Sequence, residues 1–214
     1  MDLRNATYDQ FVTFVFDHYP EDEVADKWYW KNPTDVEIEA RRAVEYLTNV
    51  FLGGQDLLVS YTDRQVTEGL NYLLGAGASE FRDQLWNADV PWPERERCIA
   101  AIPKIYADVL ERDSDAAASC AYMLWDWIAH DYYCDNRDPA RNVEDARVQD
   151  AMFEALRSLL ESHHPDTQAG AVHGLGHLSH RESARTIQKF LASDRPADER
   201  VRKYAAQVLE GEFQ

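Results

Sequence analysis

Three histidines in the second half of the chain, His173, His177 and His180, are spaced four and three residues apart. On a helix turning about 100° per residue they share one narrow face, opposite Ala171, Val172, Leu175 and Leu178. Two imidazoles one turn apart are the minimal chelate for a transition metal. A His-Glu-x-x-His arrangement is absent, however, and no nearby acid clearly completes the ligand set, so the sequence assigns no metal and no cofactor. The expectation is an exposed histidine face, and His173, His177 and His180 form a second candidate contact surface. Three glycines on the same helix, Gly170, Gly174 and Gly176, each cost about 1 kcal/mol relative to alanine. Close approach of another helix is the simplest offset.

A second concentration of chemistry lies at 115–134. Asp126 and His130 stand one helical turn apart, on the face that carries Tyr122 and Tyr133. A carboxylate orienting an imidazole is half of a general-base arrangement, but no Ser or Cys nucleophile can be assigned to it from spacing. The pair reads as mutually satisfied polar groups, or as part of a binding surface. Aromatics flanked by acids suit a basic partner, so the candidate partner-binding residues are Tyr122, Trp125, Asp126, His130, Asp131, Tyr132, Tyr133 and Asp135. No catalytic residue is assigned. Asp131 and Asp135 lack the doubled Asp-Asp of a diphosphate-binding motif.

Charge supports the same direction. The 214 residues carry 22 basic and 39 acidic side chains, a formal net charge of −17. A field of that sign repels phosphate backbones and anionic lipid, which excludes nucleic-acid and membrane-surface binding as first readings. Its distribution is uneven. Residues 108–138 hold eight acids against Arg112 and Arg137, whereas residues 181–214 hold seven basic and six acidic side chains. An acidic centre of this kind acts mainly on the association rate of a cationic partner. The three cysteines, Cys98, Cys120 and Cys134, cannot all pair within one chain and lack zinc-knuckle spacing. No signal peptide or membrane-length apolar stretch is read, so the expected location is cytoplasmic.

The elements that must position these residues are helices. Hydrophobic residues make up 45%, Gly and Pro are few, and alternating β-branched runs are missing. Helices are expected over 7–18, from a capping box at Thr34–Glu37 to about Leu52, and from a second box at Thr62–Gln65 to the Gly75–Gly77 break. Gly53-Gly54 reads as a stop, 79–86 as a short segment, and Val90-Pro-Trp-Pro93 as a rigid turn. Beyond it come helices over 94–112, bent at Pro103, and from a cap at Asp115 to about Cys134. Others run from Asn142 through 143–162, from Pro165 to His180, over 183–193, and from Asp198 to Gly211. Trp28, Tyr29 and Trp30 read as a plug closing the N-terminal end.

One apolar pattern recurs: Ala171, Val172, Leu175 and Leu178 match Cys120, Ala121, Leu124 and Trp127, and in part Ala205, Ala206 and Leu209. Such repetition signals stacked helix pairs that cannot bury their apolar faces alone. With Val201-Arg202, Ala205-Ala206 and Leu209, then Ala171, Leu175 and Gly176, and Ala101-Ile-Pro103 with Ile105, the chain resembles the HEAT-like repeats of phycobilisome-lyase-type proteins. The resemblance covers about residues 93–211. It implies an all-α, HEAT/armadillo-like right-handed stack of antiparallel helix pairs, an α-solenoid in one compact domain. Residues 1–92 would be an N-terminal helical cap region and 93–214 the repeats. In size and charge the chain also looks like the small bacterial immunity proteins. That implies a non-enzymatic inhibitor covering a toxin or other basic protein; a general scaffold, or a metal- or cofactor-dependent enzyme using Asp126/His130 or the His173 cluster, are the alternatives.

Overall fold

The computed structural model describes residues 1–23, 26–31, 36–75, 77–193 and 197–212. Its regular structure is helical, and the extended pairing among the described residues is a single bridge between Asp2 and Glu37. Eleven α-helices are described: α1 (Tyr8–Phe16), α2 (Trp28–Lys31), α3 (Ala40–Leu52), α4 (Gly54–Ser60), α5 (Asp63–Leu74), α6 (Trp92–Ile105), α7 (Asp115–Tyr133), α8 (Val143–Leu159), α9 (Pro165–Leu178), α10 (Ser183–Ala192) and α11 (Glu199–Leu209). None is long and apolar enough to cross a membrane.

The chain divides into two compact units, Met1–Val109 and Leu110–Gln214. The sequence reading places a boundary at 92/93 within one continuous domain; the division falls later because α6 packs against α3 and belongs to the first unit.

In the first unit, local capping chemistry sets where helices begin. Thr7 and Thr62 each accept the backbone N–H of a glutamine three residues on, Gln10 and Gln65, whose side chains return the contact. Residues 34 and 35 of the box expected at 34–37 lie outside the described residues, and α3 starts at Ala40. Gly53-Gly54 breaks the helix without ending the helical run. The chain restarts at once as α4, and glycine is needed at its first position: a Cβ on Gly54 would lie 2.7 Å from the Ile105 side chain and 2.8 Å from that of Asp108. Past Pro103, α6 widens into a π-type turn over Tyr106–Leu110. The 90–93 turn is anchored by buried Arg95, which donates to the carbonyls of Val90 (2.9 Å) and Leu85 (3.2 Å). Of the expected aromatic plug, Tyr29 is buried and donates to Asn71 Oδ1 at 2.9 Å. Trp28 stacks on His18 at 3.9 Å, and Trp30 is exposed.

The second unit is organised by α9, which packs against α7, α8, α10 and α11. The N-caps are Ser114, Asn142 and Asp198, each accepting a backbone N–H in the first turn that follows. Ala171, Val172, Leu175 and Leu178 are fully buried, as are Leu124, Trp125 and Ile128 of α7. Close packing at Gly174 joins them. A Cβ there would lie 2.6 Å from both Leu156 Cδ2 and Trp125 Cβ, so no larger residue fits without displacement. This is the close helix approach expected of the glycines in α9, located at Gly174.

Candidate functional site

Burial on every side of α9 corrects the expectation of an exposed histidine face. His173 is 2% exposed and His177 4%. Their face is covered by the polar stripe of α7, so the two concentrations of chemistry read separately in the sequence form one centre.

Asp126 is its pivot. The carboxylate Oδ1 lies 3.1 Å from His177 Nε2, 3.6 Å from His130 Nδ1 and 3.9 Å from His173 Nε2. The remaining ring nitrogens have partners of their own. His173 Nδ1 stands 2.6 Å from the Tyr204 hydroxyl, which is itself 2.8 Å from the Tyr122 hydroxyl. His177 Nδ1 is 3.3 Å from His130 Nδ1, and His130 Nε2 is 2.9 Å from Cys134 Sγ. Asp126, His130 and Cys134 therefore run down one edge of α7 at four-residue intervals, facing His173 and His177 one turn apart on α9.

The electrostatics follow from burial. Desolvation, helped by the neighbouring His177, holds His173 down at about 4, well below the ordinary histidine value, despite the opposing pull of Asp126. Desolvation lowers His177 as well, again against Asp126. Both rings are thus neutral near neutral pH, each with one N–H and one lone pair. Burial raises the Tyr204 phenol, so it stays protonated and can pass a hydrogen bond along the Tyr122–Tyr204–His173 chain.

His180 departs from the group. The helix ends at Leu178, and Ser179 adopts a left-handed conformation (φ 52°) that turns the next residue away. His180 is buried against Phe153, with ring centroids 4.3 Å apart. Its Nδ1 accepts the Glu182 N–H at 3.2 Å, which leaves Nε2–H to donate to Asp150 Oδ1 at 3.0 Å.

The expected partner-binding residues also divide. Trp125 and Tyr132 belong to the core, where Trp125 packs on Gly174 and Tyr132 donates to the Asp145 carbonyl at 2.8 Å; they are corrected from surface to interior. Tyr122 and Asp126 are half-buried in the histidine centre. Asp131 is held within its own turn, 3.3 Å from Asn136 Nδ2 and 4.0 Å from Arg137 Nε. His130, Tyr133 and Asp135 are exposed. The sequence reading names Cys134 without giving it a site role and does not name Tyr204. The four-residue spacing from Asp126 through His130 was a signal for Cys134; nothing local marked Tyr204, which arrives from α11.

Two chemical capacities result. Asp126, His173 and His177 offer one oxygen and two nitrogens, all within 4.8 Å of one another, a donor set suited to a metal ion. The Cys134–His130–Asp126 line has the residue types of a nucleophile relay, but the Asp126–His130 separation of 3.6 Å is too long for the hydrogen bond that orients such a base. Comparisons of the chain with protein-family models, curated proteins and solved structures give no match.

Proposed function

We propose that the chain is a non-enzymatic, acidic protein-binding module, and that it acts as an immunity-type inhibitor covering the working surface of a basic protein such as a toxin. The helices would stack in HEAT-like pairs. The observation that carries the reading is the carboxyl end of α7. Tyr133 is 51% exposed, beside exposed Asp135, Asn136 and Asp138. Of the nearby cations, Arg137 is drawn inward, 3.7 Å from buried Asp145 and 4.0 Å from Asp131, while exposed Arg141 stands 3.6 Å from Asp138. The negative end of the helix dipole adds to the same field. An exposed aromatic among acids at a helix C-terminus supplies both an anchor and steering for a cationic surface.

The test is affinity capture from the native host at low and at high salt, followed by kinetics on whatever basic protein is recovered. The reading expects one basic protein at equal stoichiometry, lost at high salt. Joint substitution Asp135→Asn and Asp138→Asn should then slow association and flatten its salt dependence, and Tyr133→Ala should speed dissociation. A captured partner with unchanged rates and unchanged salt sensitivity in all these variants would sink the surface assignment. Recovery of no basic partner would count against inhibition as a function.

A further inference from the structure

We propose that Asp126, His173 and His177 form a binding site for one divalent transition-metal ion of the zinc or cobalt type, with Tyr204 and His130 as the groups that orient its two imidazoles. The site does not depend on the partner-binding reading.

Spacing comes first. Ligand atoms bound about 2.0–2.1 Å from a tetrahedral metal lie about 3.3 Å apart. Asp126 Oδ1 is 3.1 Å from His177 Nε2 and 3.9 Å from His173 Nε2, and all three ligand atoms lie within 4.8 Å of one another, so side-chain rotations would bring them to one ion. The two histidines are held by consecutive turns of one buried helix, and the carboxylate faces them from α7.

Proton placement is the second argument. Ligating histidines present a lone pair at one nitrogen and donate the other N–H to a neighbouring acceptor. His173 Nδ1–H has the Tyr204 hydroxyl at 2.6 Å, and His177 Nδ1–H has His130 Nδ1 at 3.3 Å. Both assignments leave Nε2 as a lone pair directed toward Asp126. In that tautomer a carboxylate faces two lone pairs, and a cation between them relieves their repulsion. A proton on His177 Nε2 would satisfy Asp126 alone, leaving His173 Nε2 3.9 Å from it, beyond hydrogen-bond reach.

Access and ligand chemistry complete the case. Asp126 and His130 keep 26% and 46% of their side-chain surface, so the centre opens to solvent on the α7 side, where water or a ligand atom would take the remaining positions. Two imidazoles and one carboxylate favour zinc, cobalt, nickel or ferrous iron over magnesium and calcium.

The experiment is a Co(II) titration of the full-length chain, stripped with chelator, followed by visible absorbance, with Zn(II) as competitor. One equivalent of Co(II) should produce ligand-field bands that Zn(II) abolishes. His177→Gln and Asp126→Asn should weaken binding by at least about 100-fold, and Tyr204→Phe by roughly 10-fold, the size seen for outer-shell partners. His180→Gln, which alters a histidine outside the centre, should leave affinity unchanged. Absence of saturable binding, or wild-type affinity in both ligand variants, overturns the proposal. Should a ligand variant not fold, the wild-type spectrum decides: bands saturating at one equivalent from nitrogen and oxygen donors support the site. A thiolate charge-transfer band, which would put the metal on Cys134, overturns it.

Discussion

His173 Nδ1 and the Tyr204 hydroxyl lie 2.6 Å apart and hydrogen-bond α9 to α11 inside a partly buried polar chain that continues to Tyr122. Removing the central hydroxyl leaves buried His173 Nδ1 short of a partner, at about 1–3 kcal/mol, whereas half-buried Tyr122 can turn to water. Tyr204→Phe should therefore lower stability by roughly 1–3 kcal/mol in urea denaturation. Combining it with Tyr122→Phe should cost less than the sum of the single changes, because the second substitution removes a group already without its partner. Strict additivity would show that the three side chains do not act as one network.

Gly174 tests which of two opposed effects dominates in α9. Helix propensity alone favours Gly174→Ala by about 1 kcal/mol. The added methyl would stand 2.6 Å from Trp125 Cβ, an atom fixed beside its backbone, and 2.6 Å from Leu156 Cδ2, the end of a side chain that can turn. Overpacking of this kind costs about 1–3 kcal/mol, so the net effect should be destabilising. A thermal melt of the variant at or above the wild-type midpoint would show that α7 and α8 give way easily.

Much of the helical fold was legible because helix ends are local. Thr62, Asn142 and Asp198 each carry the chemistry that starts a helix, and the structure begins helices at these caps. The histidine centre was legible only as two halves. Periodicity placed Asp126 with His130 and His173 with His177, but no signal in one strip of sequence reports that two polar faces meet. The rule that polar faces look outward fails for α9, a helix covered by four others. His180 was misplaced for a different reason: helical phase was carried through Ser179, where a left-handed residue ends it. Trp125 and Tyr132 show the reverse limit, since an aromatic beside acids has the same local pattern whether it anchors a partner or fills a core.

Alkaline pH should unfold the protein earlier than its surface charge alone would require. Burial pushes the Cys98 and Cys120 thiols up to about 12, against an ordinary value of 9.0, and the Tyr8 phenol also up to about 12. The folded state therefore holds these protons more tightly than the unfolded state. The stability they confer is complete below about pH 9 and is lost as pH rises toward about 12. Urea midpoints should fall steadily from about pH 9 upward, and Cys120→Ala should make that fall shallower. A midpoint flat across this range would mean the thiols ionise in place.

Thiol reactivity separates the three cysteines without perturbing them. Reaction requires an accessible thiolate. Cys98 and Cys120 are buried, and Cys134 is exposed at the end of α7, its sulfur 2.9 Å from His130 Nε2. A maleimide or disulfide reagent should modify one thiol per native chain at neutral pH, and peptide mapping should place the label on Cys134. Denaturant should release the remaining two. Cys134→Ser should abolish native labelling while leaving the denatured count at two. Fast labelling of Cys120 in the native chain would contradict the packing of α7 against α9, because that sulfur sits in the turn that carries Ala121 and Leu124 into the core.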